Sequence, residues 1–160
     1  LDLLLAAPIT RGRVALEKFT SLAGSALGLA AVLFAVGALV GPWFGIHVSV
    51  GGLAIACTST ALLGITFGAI AFGAGCWLGR RGIAITVAAS VAVLAYILNV
   101  SGANISWLEP LRPLSPFDHY QANTTLDGSL AIGHALVLVG ITAAAVVAGI
   151  WRLDHRDIRT

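Results

Sequence analysis

Two stretches of this chain carry side chains able to do chemistry. The first, LDLLLAAPITRGRVALEKF, holds Asp2, Arg11, Arg13, Glu17 and Lys18 around an apolar run, Leu1–Ala7. Basic groups beside an apolar helix can bind lipid headgroups or dock a partner protein. The second, WLEPLRPLSPFDHY, spaces Pro110, Pro113 and Pro116 three apart, which disfavours one continuous helix. Glu109 and Arg112 could pair there, though an exposed pair contributes little, and Trp107, Phe117 and Tyr120 suit a membrane–water boundary. His47 and His134 each stand alone near the end of an apolar run and read as interfacial or packed side chains, not ligands. No HExxH, CxxC or GxSxG occurs, so metal or nucleophilic catalysis has no visible carrier, and without GxxxxGK[ST] the chain has no P-loop for ATP. Cys57 and Cys76 fall in one expected helix, about 28 Å apart at about 1.5 Å per residue, too far to bridge.

The elements that hold these groups are set by an uncharged run. Phe19 to Gly79 contains no Asp, Glu, Lys or Arg. About 20 helical residues cross a hydrocarbon layer, so the run must cross, turn back and cross again. Hydrophobic residues make up 58 % of the chain and charged residues 10 %, against about 25 % charged in soluble domains; mean hydropathy is +0.96. The expected fold is therefore an all-α integral membrane protein forming one domain over 1–160. Its four transmembrane helices are expected over 19–40, 53–78, 83–100 and 130–151, with a short helix in segment 1–18, an extracytoplasmic segment 101–129 and a tail 152–160. Gly41-Pro42 ends the first span, Gly79-Arg80-Arg81-Gly82 separates the second and third, and Asn99 with the SGAN turn ends the third. The sequence has no Met and opens on an apolar, helix-like run, which reads as a start within a longer protein with further spans upstream.

The charges sort by side. With four alternating spans, Arg11, Arg13, Lys18, Arg80, Arg81, Arg152, Arg156 and Arg159 fall on one face and only Arg112 on the other. The positive-inside bias makes the first face cytoplasmic, with both fragment ends and the double-arginine turn on it. No ionisable residue lies near the middle of a span, which argues against a proton relay in this stretch. GSALG, GALVG, GITFG and GCWLG each set two glycines four apart on one helix face. Such pairs let helices approach closely in lipid and suggest a tightly packed bundle with partner helices.

These stretches, taken in order, resemble ABC-2-type ABC transporter permeases. LDLLLAAPITRGRVALEKF is similar to the family's cytoplasmic loop, an acidic residue, an LLL-like run, then Pro-[VI]-[ST]-Arg and a downstream Lys; Asp2, Pro8, Ile9, Thr10, Arg11 and Lys18 match it. GRRGIAITVAASVAVLAYILN resembles the turn and span that follow. LEPLRPLSPF is similar to the outer segment before the last span, and WRLDHRDI to the aromatic-then-RD-[IL] ending, with Arg156, Asp157 and Ile158 in place. The subfamily most like it includes actinobacterial drug and antibiotic exporters.

The resemblance implies six spans, the first two preceding this stretch. It makes the helix around Asp2–Pro8 (Asp2, Leu3, Leu4, Leu5, Pro8, with Ile9, Thr10 and Arg11) a coupling helix seated on a separate ABC ATP-binding subunit, which binds the ATP and Mg. A second permease subunit would complete the pathway, as a homo- or heterodimer. The segment holding Trp107, Glu109, Pro110, Arg112, Pro113, Pro116 and Phe117 would be an outer re-entrant helical hairpin that gates release. The chain itself would be no enzyme and hold no cofactor or metal. Its partners would be the lipid bilayer of a bacterial cytoplasmic membrane and these subunits, not nucleic acid. The apolar spans fit a hydrophobic or amphiphilic cargo moved outward. The competing expectation is a multi-span scaffold or assembly protein without transport activity, which needs none of the motif order.

Overall fold

The computed structural model describes residues 11–45, 49–123 and 132–155. Among them there is no strand. The helices are α1 (Arg11–Val40), α2 (Val50–Leu78), α3 (Arg81–Gly102), α4 (Pro116–Asn123) and α5 (Ile132–Asp154). Short 3-10 helices cover Gly41–Phe44 and Glu109–Leu114.

Four of these helices are long and apolar enough to cross a membrane: one within Gly12–Phe44, then Val50–Leu78, Arg81–Gly102 and Ile132–Leu153. They match the expected spans in number and order; α1 and α2 begin earlier than expected and end where expected, α3 extends further at both ends, and α5 is described from Ile132 to Asp154. α1 begins at Arg11, eight residues before the expected span, because the intervening charged residues are good helix formers. Arg13 Nε donates to Glu17 Oε1 at 3.4 Å across one exposed turn, a pair of small energetic weight. α3 continues through Asn99 to Gly102, where Asn104 Nδ2 donates to the Val100 carbonyl at 3.0 Å and satisfies one orphan acceptor of the helix end.

Helix ends follow local rules. Ser49 is the N-cap of α2, its hydroxyl accepting from the Gly52 N–H at 3.1 Å. Gly79 closes the same helix at φ 66°, its N–H donating to the Gly75 carbonyl at 2.9 Å. A left-handed residue is cheap only for glycine, so α2 stops there and the two arginines turn the chain into α3.

α2 is the central helix. α1, α3, α4 and α5 all pack on it, α1 also touches α5, and α1 and α3 do not pack on each other among the described residues. α2 and α5 run parallel: Thr66 Oγ1 meets Thr142 Oγ1 at 3.1 Å and lies 3.5 Å from the Leu138 carbonyl. A few turns along, a Cβ built on Gly73 would come within 3.0 Å of the Ala145 carbonyl, and one on Gly149 within 3.1 Å of the Gly73 Cα. This is the close backbone approach of the bundle. The four expected glycine pairs do not make it: Gly24, Gly28 and Gly64 face open space, Gly37 and Gly68 lie against Leu53 and Leu22 side chains, and Gly75 lies at ordinary contact distance from the Ala84 side chain of α3, with its partner Gly79 serving as the helix cap.

The packing is inverted relative to a water-soluble protein. Most buried positions are small or hydroxylic, among them Ala15, Ala30, Ala61, Ala69, Ala84, Ser59 and Thr66, with Leu138, Val146, Asn99 and His119 the larger buried side chains, whereas Leu39, Leu94 and Val147 are 73 %, 66 % and 66 % exposed. Helices in lipid gain nothing from hiding leucine and associate through small residues that bring backbones together. All four tryptophans are more than half exposed, and they sit at the bundle's two ends: Trp43 and Trp107 at one, Trp77 and Trp151 at the other. Arg152 caps the Trp77 ring at 5.7 Å. Such double aromatic girdles mark the two bilayer interfaces. The class is an α-helical membrane protein.

Candidate functional site

The proline-containing segment is the most constructed part of the molecule. Pro110 opens the 3-10 helix Glu109–Leu114 within its first two positions, and Pro113 lies inside it. The chain then turns extended at Ser115 (φ −83°, ψ 126°), as a residue before proline prefers, and Pro116 begins α4. Broken short helices thus replace one continuous helix, as the proline spacing requires.

Each turn of this segment is held by a different neighbour. Ser115 is 1 % exposed. Its hydroxyl donates to the Ala95 carbonyl of α3 at 2.8 Å and accepts from the Phe117 N–H at 3.3 Å, so one side chain both caps α4 and ties it to α3. Ala95 lies seven residues before the end of α3, about 10 Å down the helix at about 1.5 Å per residue. The segment therefore descends from Gly102 along the flank of the bundle.

Phe117 inserts between α2 and α3, with ring centroids 5.3 Å from Phe67 and 5.6 Å, edge-on, from Tyr96. It is a packed side chain, not the boundary aromatic expected from its type. Tyr120 likewise turns inward, its hydroxyl 3.4 Å from Thr60 Oγ1 of α2. Of the three aromatics expected at the boundary, Trp107 stays outside, at 72 % exposed.

Arg112 does not pair with Glu109. Its stem occupies the space where Gly102 would carry a Cβ, which turns the guanidinium toward α4. There Nη2 meets Asp118 Oδ1 at 3.0 Å, with the two side chains 31 % and 21 % exposed. Asp118 also sits in the first turn of α4, where the helix dipole favours a negative charge.

His134 is not a lone histidine. His119 Nδ1 and His134 Nδ1 are 2.7 Å apart, and His119 Nε2 lies 2.9 Å from the Pro113 carbonyl. A carbonyl only accepts, so His119 Nε2 carries a proton; one of the two Nδ1 atoms carries the other hydrogen-bonding proton. His119 is 6 % exposed. The pair fastens α4 and the 3-10 helix to the start of α5. Sequence reasoning missed His119, Ser115 and Asp118. The Ser-Pro pair, an N-cap signature, could have flagged Ser115; nothing in the spacing links His119 to a residue fifteen positions on.

The expected coupling residues Asp2, Leu3, Leu4, Leu5, Pro8, Ile9 and Thr10 lie outside the described residues, as do His47 and the terminal Arg156, Asp157 and Ile158. Arg11 is the first residue of α1. At that end the bundle opens into a cavity of about 740 Å³, walled by the start of α1, the second half of α2, the start of α3 and Leu153 of α5. The starts of α1 and α3 and the ends of α2 and α5 therefore share one end of the molecule, and the proline segment the other.

No group of three or more His, Cys, Asp or Glu able to hold a metal occurs among the described residues. Comparison with known protein families, with characterised proteins and with solved structures finds no match.

Proposed function

We propose that the chain is the transmembrane permease subunit of an ATP-driven ABC-2-type exporter. A separate nucleotide-binding subunit hydrolyses the ATP, and a second permease subunit completes the pathway. The observation that supports this reading is that two motifs, in the family's order along the sequence, fall to opposite ends of the bundle: Arg11, the last residue of PITR, opens α1 at the basic end, and LEPLRPLSPF forms broken helices wedged into the other end. A transporter driven from the cytosol needs a lever at one end and a gate at the other. On this reading the basic end is cytoplasmic in a bacterial plasma membrane, the segment around Asp2–Pro8 is the coupling helix, and the segment Trp107–Phe117 is a re-entrant outer hairpin.

The hairpin and the α4 helix that follows it are held by side-chain clasps to α2, α3 and α5, so a small movement between these helices changes their seat. The cargo is hydrophobic or amphiphilic, in keeping with the apolar helix faces, and leaves the cytoplasm. The test is to co-purify the full-length protein with the P-loop ATPase encoded beside it and reconstitute both. Arg11→Glu, or deletion of Leu3–Pro8, is expected to abolish permease-stimulated ATP hydrolysis while membrane insertion persists. Unchanged stimulation in both variants would overturn the assignment.

A further inference from the structure

The cavity at the basic end is shaped for one particular kind of molecule. α1 and α3 both pack on α2 without packing on each other, so the cleft between them opens sideways from the bundle. Its walls are apolar, with Phe19, Leu22, Phe72 and Ile85 among them, and its floor is kept low by Ala71 and Gly75 of α2. Along α2 it runs from Gly79 to Gly68, about 16 Å at about 1.5 Å per residue. That is the depth of one leaflet in a hydrocarbon core about 30 Å thick. Among the described residues, Lys18 and Arg81 are the charged side chains on its lining, and no carboxylate lines it. Both are exposed, and Arg81 lies within a few residues of Trp77, in the aromatic girdle of this end.

We infer that this cleft binds an anionic phospholipid of the leaflet it faces, with one acyl chain between α1 and α3 and the phosphate between Lys18 and Arg81. Two cations at headgroup depth, above an apolar slot one leaflet deep, complement a negative headgroup on a hydrocarbon tail. A soluble anion has no use for the slot, and an uncharged lipid has none for the cations. The inference requires the membrane setting alone and stands whether or not the chain is an exporter.

The experiment is native mass spectrometry of the full-length protein released from mild detergent, titrated with phosphatidylglycerol or with phosphatidylcholine of the same acyl chains. Phosphatidylglycerol is expected to bind about tenfold more tightly, and the paired substitution Lys18→Gln, Arg81→Gln to bring the two lipids level. Arg80→Gln, which removes a neighbouring cation outside the lining, is expected to leave the preference within about twofold. Ala71→Phe, which fills the slot, is expected to weaken both lipids. Equal binding of the two lipids by the unaltered protein overturns the site. So does a preference that survives the paired substitution, falls equally with Arg80→Gln, or is abolished by millimolar inorganic phosphate. The glutamine variants replace exposed side chains, so they decide the question even if Ala71→Phe does not fold; circular dichroism checks their helix content.

Discussion

Ser115 shows how much of the proline segment rests on single polar atoms. Its hydroxyl is both the cap of α4 and the tie to α3. Ser115→Ala removes both bonds and leaves the Phe117 N–H without its cap, at a cost of about 1–2 kcal/mol. The expected outcome is a lower unfolding midpoint in detergent, with the four long helices retained by circular dichroism. The histidine clasp is a second test at this scale. His134→Leu leaves the buried His119 Nδ1 without its partner, and a double-mutant cycle with His119→Phe is expected to show coupling of about 0.5–1.5 kcal/mol. Additive losses would mean that the 2.7 Å contact contributes nothing to stability. Glu109→Gln is expected to be silent and Asp118→Asn to destabilise, because Arg112 pairs with Asp118.

At the scale of elements, the interface of α2 with α5 depends on Gly73 and Gly149. A Cβ at Gly73 meets a backbone carbonyl, which cannot swing aside as a leucine side chain can. Gly73→Val is expected to force the helices apart and to cost about 1–3 kcal/mol. Gly24→Ala, with nothing within 4 Å of its Cβ, is expected to be neutral or to stabilise α1 by up to about 1 kcal/mol. Thermal unfolding of both variants in one detergent separates them; equal losses would place the close approach elsewhere. α5 begins about level with Thr60, roughly ten residues into α2, given the Thr66–Leu138 register. α4 rests on the first described turn of α5 through His119 and His134.

For the whole molecule, the prediction is sidedness. In a background lacking Cys57 and Cys76, Trp107→Cys is expected to react with a membrane-impermeant maleimide in intact cells. Arg80→Cys and His155→Cys are expected to react only after permeabilisation. Labelling of positions 80 and 155 from opposite faces would contradict the shared end of α2, α3 and α5 and sink the exporter reading with it.

The number of spans and the clustering of charge at one end were legible in the sequence, because both depend on local quantities. A helix must be long enough to cross, and arginines must fall between particular spans. The break at the proline segment was legible for the same reason, since proline restricts its own backbone and its neighbour's. Tertiary structure alone decided that Arg112 takes Asp118 over Glu109, that His119 reaches His134, that Phe117 inserts between helices, and that Gly73 and Gly149 make the close approach. These outcomes depend on how each helix is rotated about its axis. α2 is apolar on every side, so its sequence offers no stripe to set that rotation; the fit of small side chains against neighbouring backbones sets it instead.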